Sequence, residues 1–259
     1  MAEIEIVDDG AVRSIFINRP SNGNALSYAT MVELRDALET AGPSVRAVIL
    51  SARGKLFCAG GDVKEWKQKK DANPNYGGDN WAKHSVALIE AIVHLKKPVI
   101  AAVNGAAAGA GLDLACACDF RIAADTARFI CSFTRIGYAP DAGGTWFLPR
   151  LIGLAKAKEL IFHGDPWNAQ QALACGLVDR VVPAAELEAA ALAWARKLAE
   201  GPTIAIGQAK LLLERSYGST LAEQLEHEHE AASICRATQD HKEGLAAAHE
   251  KRAPVFKGM

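Results

Sequence analysis

The stretch PVIAAVNGAAAGAGLDLACACD, Pro98 to Asp119, decides how this chain folds. Its apolar run Val99 to Val103 has the length of a buried strand, set up by Pro98 and stopped by Asn104-Gly105. Small residues follow, and a helix runs from Ala110 to about Ala117. Upstream, segments 3–8 and 11–18 alternate apolar and polar residues as a hairpin turning at Asp9-Gly10. A helical pattern then covers Tyr28 to Leu38, and Ala47 to Leu50 is another apolar run. Strand, helix, strand order implies parallel pairing through crossover connections, so the class is α/β.

Between these elements, Lys64 to Asn80 is rich in Lys, Asn and Gly, has no clear period and contains Pro74, which reads as a mobile surface loop. Beyond about Leu154 helical patterns dominate: Ala184 to Ala199, Ile204 to Arg215, Leu221 to Arg236 and Lys242 to Lys251. Only one short strand is expected there, near Leu177 to Val182. The shift places a boundary at Pro183, with a mixed core over 1–183 and a helical region over 184–259.

Charge narrows the function. The 29 basic and 30 acidic residues nearly cancel, so no basic field is available for nucleic acid. No segment is apolar for long enough to span a bilayer, and the start, MAEIEIVDDG, is acidic where a secretory signal is basic. A cytoplasmic protein without a membrane partner is expected. Cys116 and Cys118 are one residue apart, which is not metal-binding spacing, so reduced, mostly buried thiols and no metal site are expected.

Three strings carry a resemblance: Phe57-Cys58-Ala59-Gly60-Gly61-Asp62, then Pro98 to Asp119, then PDAGGTWFLPRLIG from Pro140 to Gly153. Together with the ending KRAPVFKG, their order and spacing resemble the crotonase (enoyl-CoA hydratase/isomerase) superfamily over nearly the whole chain. The resemblance implies a spiral of ββα turns with a helical C-terminal trimerisation region, and a homo-oligomer that is a trimer or a dimer of trimers. It also implies an acyl-CoA thioester as substrate and no metal or redox cofactor, coenzyme A being part of the substrate. Two backbone N–H groups, placed by position at Gly61 and Ala110, then stabilise the enolate oxygen of the thioester. Taken alone, the glycines around them also fit an ordinary turn and a close helix contact. A dinucleotide fingerprint fails, because Leu114 replaces its third glycine and no acidic partner follows.

Hydratases of the family use two glutamates, and the matching positions are Asp113 and Phe133. A water held between two carboxylates is hard to build with Phe133 there. Asp141 supplies another carboxylate, in a string similar to that of epoxyphenylacetyl-CoA isomerase and several enoyl-CoA isomerases. The expected function is an isomerase that shifts a double bond or opens a ring epoxide, with Asp141 moving the proton. Asp141 also suits a turn or helix cap, and Asp113 is expected to act directly or to orient the substrate or Asp141. Alternatives are hydration, dehalogenation or hydrolysis with Asp141 as nucleophile and His84 or His94 assisting, and a catalytically dead acyl-CoA-binding protein.

Further substrate-binding positions follow from the same resemblance. Asn24, Ala25 and Leu26 lie in the segment along the coenzyme A chain, with Ala59, Gly60 and Asp62 in the facing loop. Phe256 and Lys257 match a C-terminal pair that reaches a neighbouring subunit's nucleotide. Trp66, Trp81, Phe133, Tyr138 and Trp146 are candidate pocket walls. The stripe Leu211, Leu212, Leu221, Leu225 and Ile234 reads as core or oligomer interface, and His227 to Glu230 as a solvated charged face, since residues two apart on a helix do not meet.

Overall fold

The computed structural model describes residues 2–73 and 79–259. The chain starts with the hairpin β1 (Ile4–Asp9) and β2 (Val12–Ile17), paired antiparallel. Helix α1 (Tyr28–Glu39) begins at a capping box in which Ser27 accepts from the Thr30 N–H. It leads to β3 (Ala47–Ala52), parallel to β2. After α2 (Val63–Ala72) and α3 (Asp79–His94) come β4 (Val99–Val103), β5 (Ala106–Ala108) and α4 (Ala110–Ala117). Then follow β6 (Phe120–Ala124), β7 (Arg128–Ile130), and α5 (Gly144–His163), which is broken at Gly153. The last elements are β8 (Trp167–Asn168), α6 (Ala169–Ala174), β9 (Arg180–Val182), α7 (Leu187–Ala199), α8 (Thr203–Ser216), α9 (Leu221–Arg236) and α10 (Gln239–Glu250).

Two sheets result, one in the order β1-β2-β3-β4-β6-β9 and a smaller one in the order β5-β7-β8. Successive turns of the chain alternate between them. A strand of the large sheet, a short strand of the small sheet and a helix recur as β4-β5-α4 and again as β6-β7-α5. The turn from β3 joins in through a parallel bridge from Cys58 to Ala107 before entering α2 and α3. This repetition is the ββα spiral, and the helical C-terminal region follows it.

Every residue of β4 is buried, and alternation sends Val99, Ala101 and Val103 into one core and Ile100 and Ala102 into another. The first core holds α1, α3 and α4 against the sheet. The second is closed by α7, whose Leu187, Ala191, Trp194, Ala195 and Ala199 pack on Ile49, Ile100 and Ile122. Burying Leu187 or Trp194 there is worth roughly 2 kcal/mol each. The sheet's packing therefore runs past residue 183, and α7 shares a core with the strands. Lys210 of α8 is fastened to the same body, donating to the Ile92 carbonyl at 2.7 Å and to Asp119 Oδ2 at 2.9 Å. Leu221, Leu225 and Ile234, in contrast, are exposed in the chain.

One expectation is corrected. Residues 63–72 of the anticipated loop form α2, and α3 starts at Asp79; Pro74 to Gly78 lie outside the described residues. Asp62 caps α2 by accepting from the Glu65 N–H at 3.1 Å, and Glu65–Lys69 and Lys67–Asp71 are i,i+4 ion pairs along it. No residue of α2 is buried. The helix thus has no apolar stripe, and periodicity could not reveal it.

Candidate active site

The loop after β3 and the start of α4 meet above the small sheet. Leu26 donates its N–H to the Gly60 carbonyl at 2.8 Å and accepts from the Asp62 N–H at 2.9 Å. This extended pairing turns the intervening Gly61 N–H away from Leu26, and it has no backbone acceptor among the described residues. The Ala110 N–H, in the first turn of α4, also lacks one. The two loops touch closely, since a Cβ at Gly60 would come within 3.0 Å of the Ala108 carbonyl and 3.6 Å of the Ala110 nitrogen. Gly60 and Gly109 have φ of 101° and 51°, a region that suits glycine.

Gly61 and Ala110 face a cleft enclosing about 660 Å³ of non-atom space, part of it open to solvent. Leu26, Ala59, Gly60, Asp62, Phe133 and Asp141 also line it, so most of the expected site is brought together. Its aromatic walls are Trp66, Trp81, Phe133 and Tyr138, with Trp66 and Tyr138 edge to face at 5.7 Å.

Three carboxylates border the cleft, and two are committed elsewhere. Asp62 is paired with Arg19 at 2.9 Å, accepts from the Asn22 side chain at 2.8 Å, and caps α2. Glu65 accepts from the Tyr28 N–H at 3.1 Å and pairs with Lys69 at 3.2 Å. Asp141 carries no ion pair among the described residues, and burial raises its pKa above the ordinary aspartate value, although hydrogen bonding from Tyr138 and Trp81 acts the other way. A half-buried carboxylate with a raised pKa beside two free N–H groups can accept and return a proton.

Other expected positions lie elsewhere. Asp113 is fully buried behind the cleft wall, and neither carboxylate oxygen has a hydrogen-bond partner. It lies so close to the start of α5 that a Cβ at Gly144 would come within 2.1 Å of its Oδ1. Burial pushes its pKa up to about 7, the pull of the Gly144 N–H opposing it and the nearby charge of Asp141 adding a smaller push upward. Asn24 is also fully buried; its amide donates to the Arg53 and Leu56 carbonyls and accepts from the Arg19 N–H, so it pins a loop instead of facing the cleft. Ala25 is buried beside it, its carbonyl accepting from Arg19.

Phe256 and Lys257 lie outside the cleft lining, in a tail held by Arg46 donating to the Phe256 carbonyl at 3.1 Å and by the Lys257 N–H donating to Asp240 at 2.6 Å. Trp146 is not a wall either: it is turned outward beneath the Arg150 guanidinium, 3.2 Å from the ring centroid. His84 packs on the Tyr28 ring at 5.5 Å, and neither it nor His94 lines the cleft. Tyr28, Val63, Glu65, Ser132 and Ile136 do line it and went unread in the sequence. Only proximity to Leu26 or Phe133 could have suggested Tyr28 and Ser132.

A family model described as enoyl-CoA hydratase/isomerase matches residues 8–259. The chain belongs to the enoyl-CoA hydratase/isomerase family. It is 34% identical over 249 residues to the 1,2-epoxyphenylacetyl-CoA isomerase of Escherichia coli, covering 95% of each chain. It is 37% identical over 245 residues to the crotonyl-CoA hydratase of Syntrophomonas wolfei, covering 93% of each. The crystal structure of an enoyl-CoA hydratase from Bacillus anthracis superposes with a TM-score of 0.92 at 38% identity, over 99% of this chain and 100% of that one. The chain thus has relatives named for both reactions, the hydratase name being the more frequent among these. No helix among the described residues is long and apolar enough to cross a membrane.

Proposed function

We propose that this family member is an acyl-CoA isomerase that shifts a double bond by proton transfer through Asp141. The carrying observation is the carboxylate inventory of the cleft: Asp141 carries no ion pair among the described residues and is raised in pKa, while Phe133 takes the second glutamate's place and Asp113 is buried off the wall. The thioester carbonyl sits between the Gly61 and Ala110 N–H groups. Ionised Asp141 removes the α-proton of a β,γ-unsaturated acyl group, and the electron pair spreads onto the carbonyl oxygen as a dienolate held by those two donors. Asp141 then delivers a proton, exchanged in part with solvent while it is held on the carboxyl, to the γ-carbon, leaving the α,β-double bond and regenerating the carboxylate. Nothing is oxidised or reduced, so the reaction calls for no cofactor beyond the coenzyme A of the substrate.

Hydration is the second reading, favoured by the names of most relatives and by an acid at the Asp113 position. An acyl-CoA panel followed by ultraviolet absorbance, solvent deuterium uptake and free thiol release separates the two and hydrolysis as well. Isomerisation is expected to change absorbance with deuterium incorporated and neither water added nor thiol released. Water addition at the rate of a dedicated hydratase would overturn the isomerase reading.

Assembly into a trimer or a dimer of trimers belongs to the same proposal. The exposed apolar residues Leu213 on α8, Tyr217 just after it, and Leu221 and Leu225 on α9 support it.

A further inference from the structure

Two neutral donors reach the Asp141 carboxylate from separate parts of the chain, the Trp81 indole and the Tyr138 hydroxyl. Trp81 stands on α3, partly buried against the first core. The benzene edge of its indole lies against the loop that carries the Gly61 N–H, where a Cβ on Gly61 would come within 3.1 Å of Cη2 and 3.3 Å of Cζ3. The one donor of that side chain is the N–H of the other ring, and it meets Asp141. A single rigid side chain therefore touches both the oxyanion loop and the carboxylate assigned to proton transfer.

Tyr138 comes from the segment just before Asp141. The short 3-10 turn Thr134–Ile136 ends at Gly137, φ 68°, and the Tyr138 N–H donates to the Phe133 carbonyl at 3.0 Å, which fixes where the side chain leaves the backbone. Trp66 of α2 meets its ring edge to face at 5.7 Å. Burial, then the charge of Asp141 and the hydrogen bond to it, raise the phenol pKa above the ordinary 10.0, so Tyr138 stays a donor at neutral pH.

An ionised carboxylate offers about four acceptor positions, so two donors orient it and still leave room for a substrate proton. Neutral donors do this without the strong loss of basicity that an adjacent cation brings, and no Lys, Arg or His lines the cleft among the described residues. The other titratable neighbours are acids: Asp62, paired with Arg19, Glu65, paired with Lys69, and the buried Asp113. Misplacing a base by about 1 Å costs roughly a hundredfold in rate.

We propose that Trp81 and Tyr138 are positioning residues that together aim the Asp141 carboxylate, and that Trp81, braced on Gly61, sets its distance from the oxyanion donors. The proposal rests on the reading of Asp141 as the base and says what keeps that base in register with the thioester.

Titration of Asp141 by carboxyl carbon-13 NMR on the full chain tests it without turnover, the resonance being the one lost in Asp141→Asn. Hydrogen bonds to the ionised form lower a carboxylate's pKa, so Tyr138→Phe and Trp81→Phe should each raise that of Asp141 by roughly one pH unit. The inflection of kcat/KM should move upward with it. Asp62, Glu65 and Asp113 are present in every variant and cancel in the comparison. Each variant should also lose roughly tenfold to a hundredfold in kcat, with KM changed by less than about threefold. That loss should vanish when the same change is made in Asp141→Asn, which has no carboxylate to aim. Trp81→Phe should keep the lowered carbonyl stretch of a bound acyl-CoA, whereas Trp81→Ala, which removes the brace on Gly61, should diminish it.

An Asp141 titration unmoved within about 0.3 pH unit, or a kcat loss as large in the Asp141→Asn background as in the wild type, overturns the proposal; Tyr138→Phe decides both if Trp81→Phe does not fold. A carbonyl shift undiminished in Trp81→Ala overturns the brace on Gly61. If Asp141→Asn is itself fully active, the reading of Asp141 as the base falls and the proposal with it. If double bonds move through Asp141 while its titration ignores both variants, that reading stands and the proposal alone falls.

Discussion

Replacing Asp113 with Asn removes a titration whose size follows from its position. The carboxylate is fully buried, neither oxygen has a hydrogen-bond partner, and its pKa is pushed from the ordinary 3.8 up to about 7. At 1.36 kcal/mol per pH unit, that gap corresponds to roughly 4 kcal/mol against the ionised form in the native state. Because the folded pKa lies above the unfolded one, stability from this group is fully present below about pH 4 and is lost as pH rises through about 7. Between about pH 5 and about pH 8 the native state should lose roughly 2 to 3 kcal/mol through Asp113 alone. Asn has nearly the same shape and does not titrate there. The wild type should therefore lose that amount relative to Asp113→Asn over this range, in urea unfolding or as a Tm difference of roughly 5 to 10 °C. Other groups cancel in the comparison, and any constant cost of burying the amide does too. A difference between the two proteins that stays constant within about 0.5 kcal/mol from pH 5 to pH 8 would refute a buried, neutral Asp113.

Asp141→Asn is expected to lower kcat by roughly two to four powers of ten with little change in acyl-CoA affinity; retained turnover, with Asp113→Asn inactive instead, would reverse the two assignments. Because burial raises the Asp141 pKa, kcat/KM in the wild type should rise with pH through an inflection above the ordinary aspartate value of 3.8, and any residual activity of the Asn variant should lack that limb. Hydration of crotonyl-CoA should be weak, and Phe133→Glu should raise it; an already efficient wild type would argue for a hydratase. Bound acyl-CoA should show its carbonyl stretch at lower frequency, and the shift should survive in Asp141→Asn, since polarisation and proton transfer belong to different groups; an unshifted carbonyl in the wild type would remove the thioester from between Gly61 and Ala110. Light scattering should report a trimer or hexamer, and a monomer at micromolar concentration would refute assembly through α8 and α9.

What the sequence determined by itself was whatever local pattern encodes. Val99–Val103 and Ala110–Ala117 lie where the apolar run and the helical pattern put them, because Pro98, Asn104-Gly105 and Gly109 are local backbone constraints. The Gly61, Ala110 and Asp141 strings were legible only through their resemblance to the family in order and spacing, since each taken alone also fits an ordinary turn, a close helix contact or a helix cap. Tertiary structure decided what depends on partners distant in sequence. Helix α2 has no buried face, so its cap and ion pairs reveal it where apolar periodicity does not. Helix α7 covers the sheet because the second face of β3, β4 and β6 requires a partner, which the composition change at Pro183 could not disclose. The directions of side chains were equally hidden. Asp113 points into the core and not the cleft, Asn24 holds its own loop, and Trp146 turns out beneath Arg150. Each of these is fixed by which neighbour fills the space beside it, and that is a property of the packed molecule, not of the residue's place in a motif.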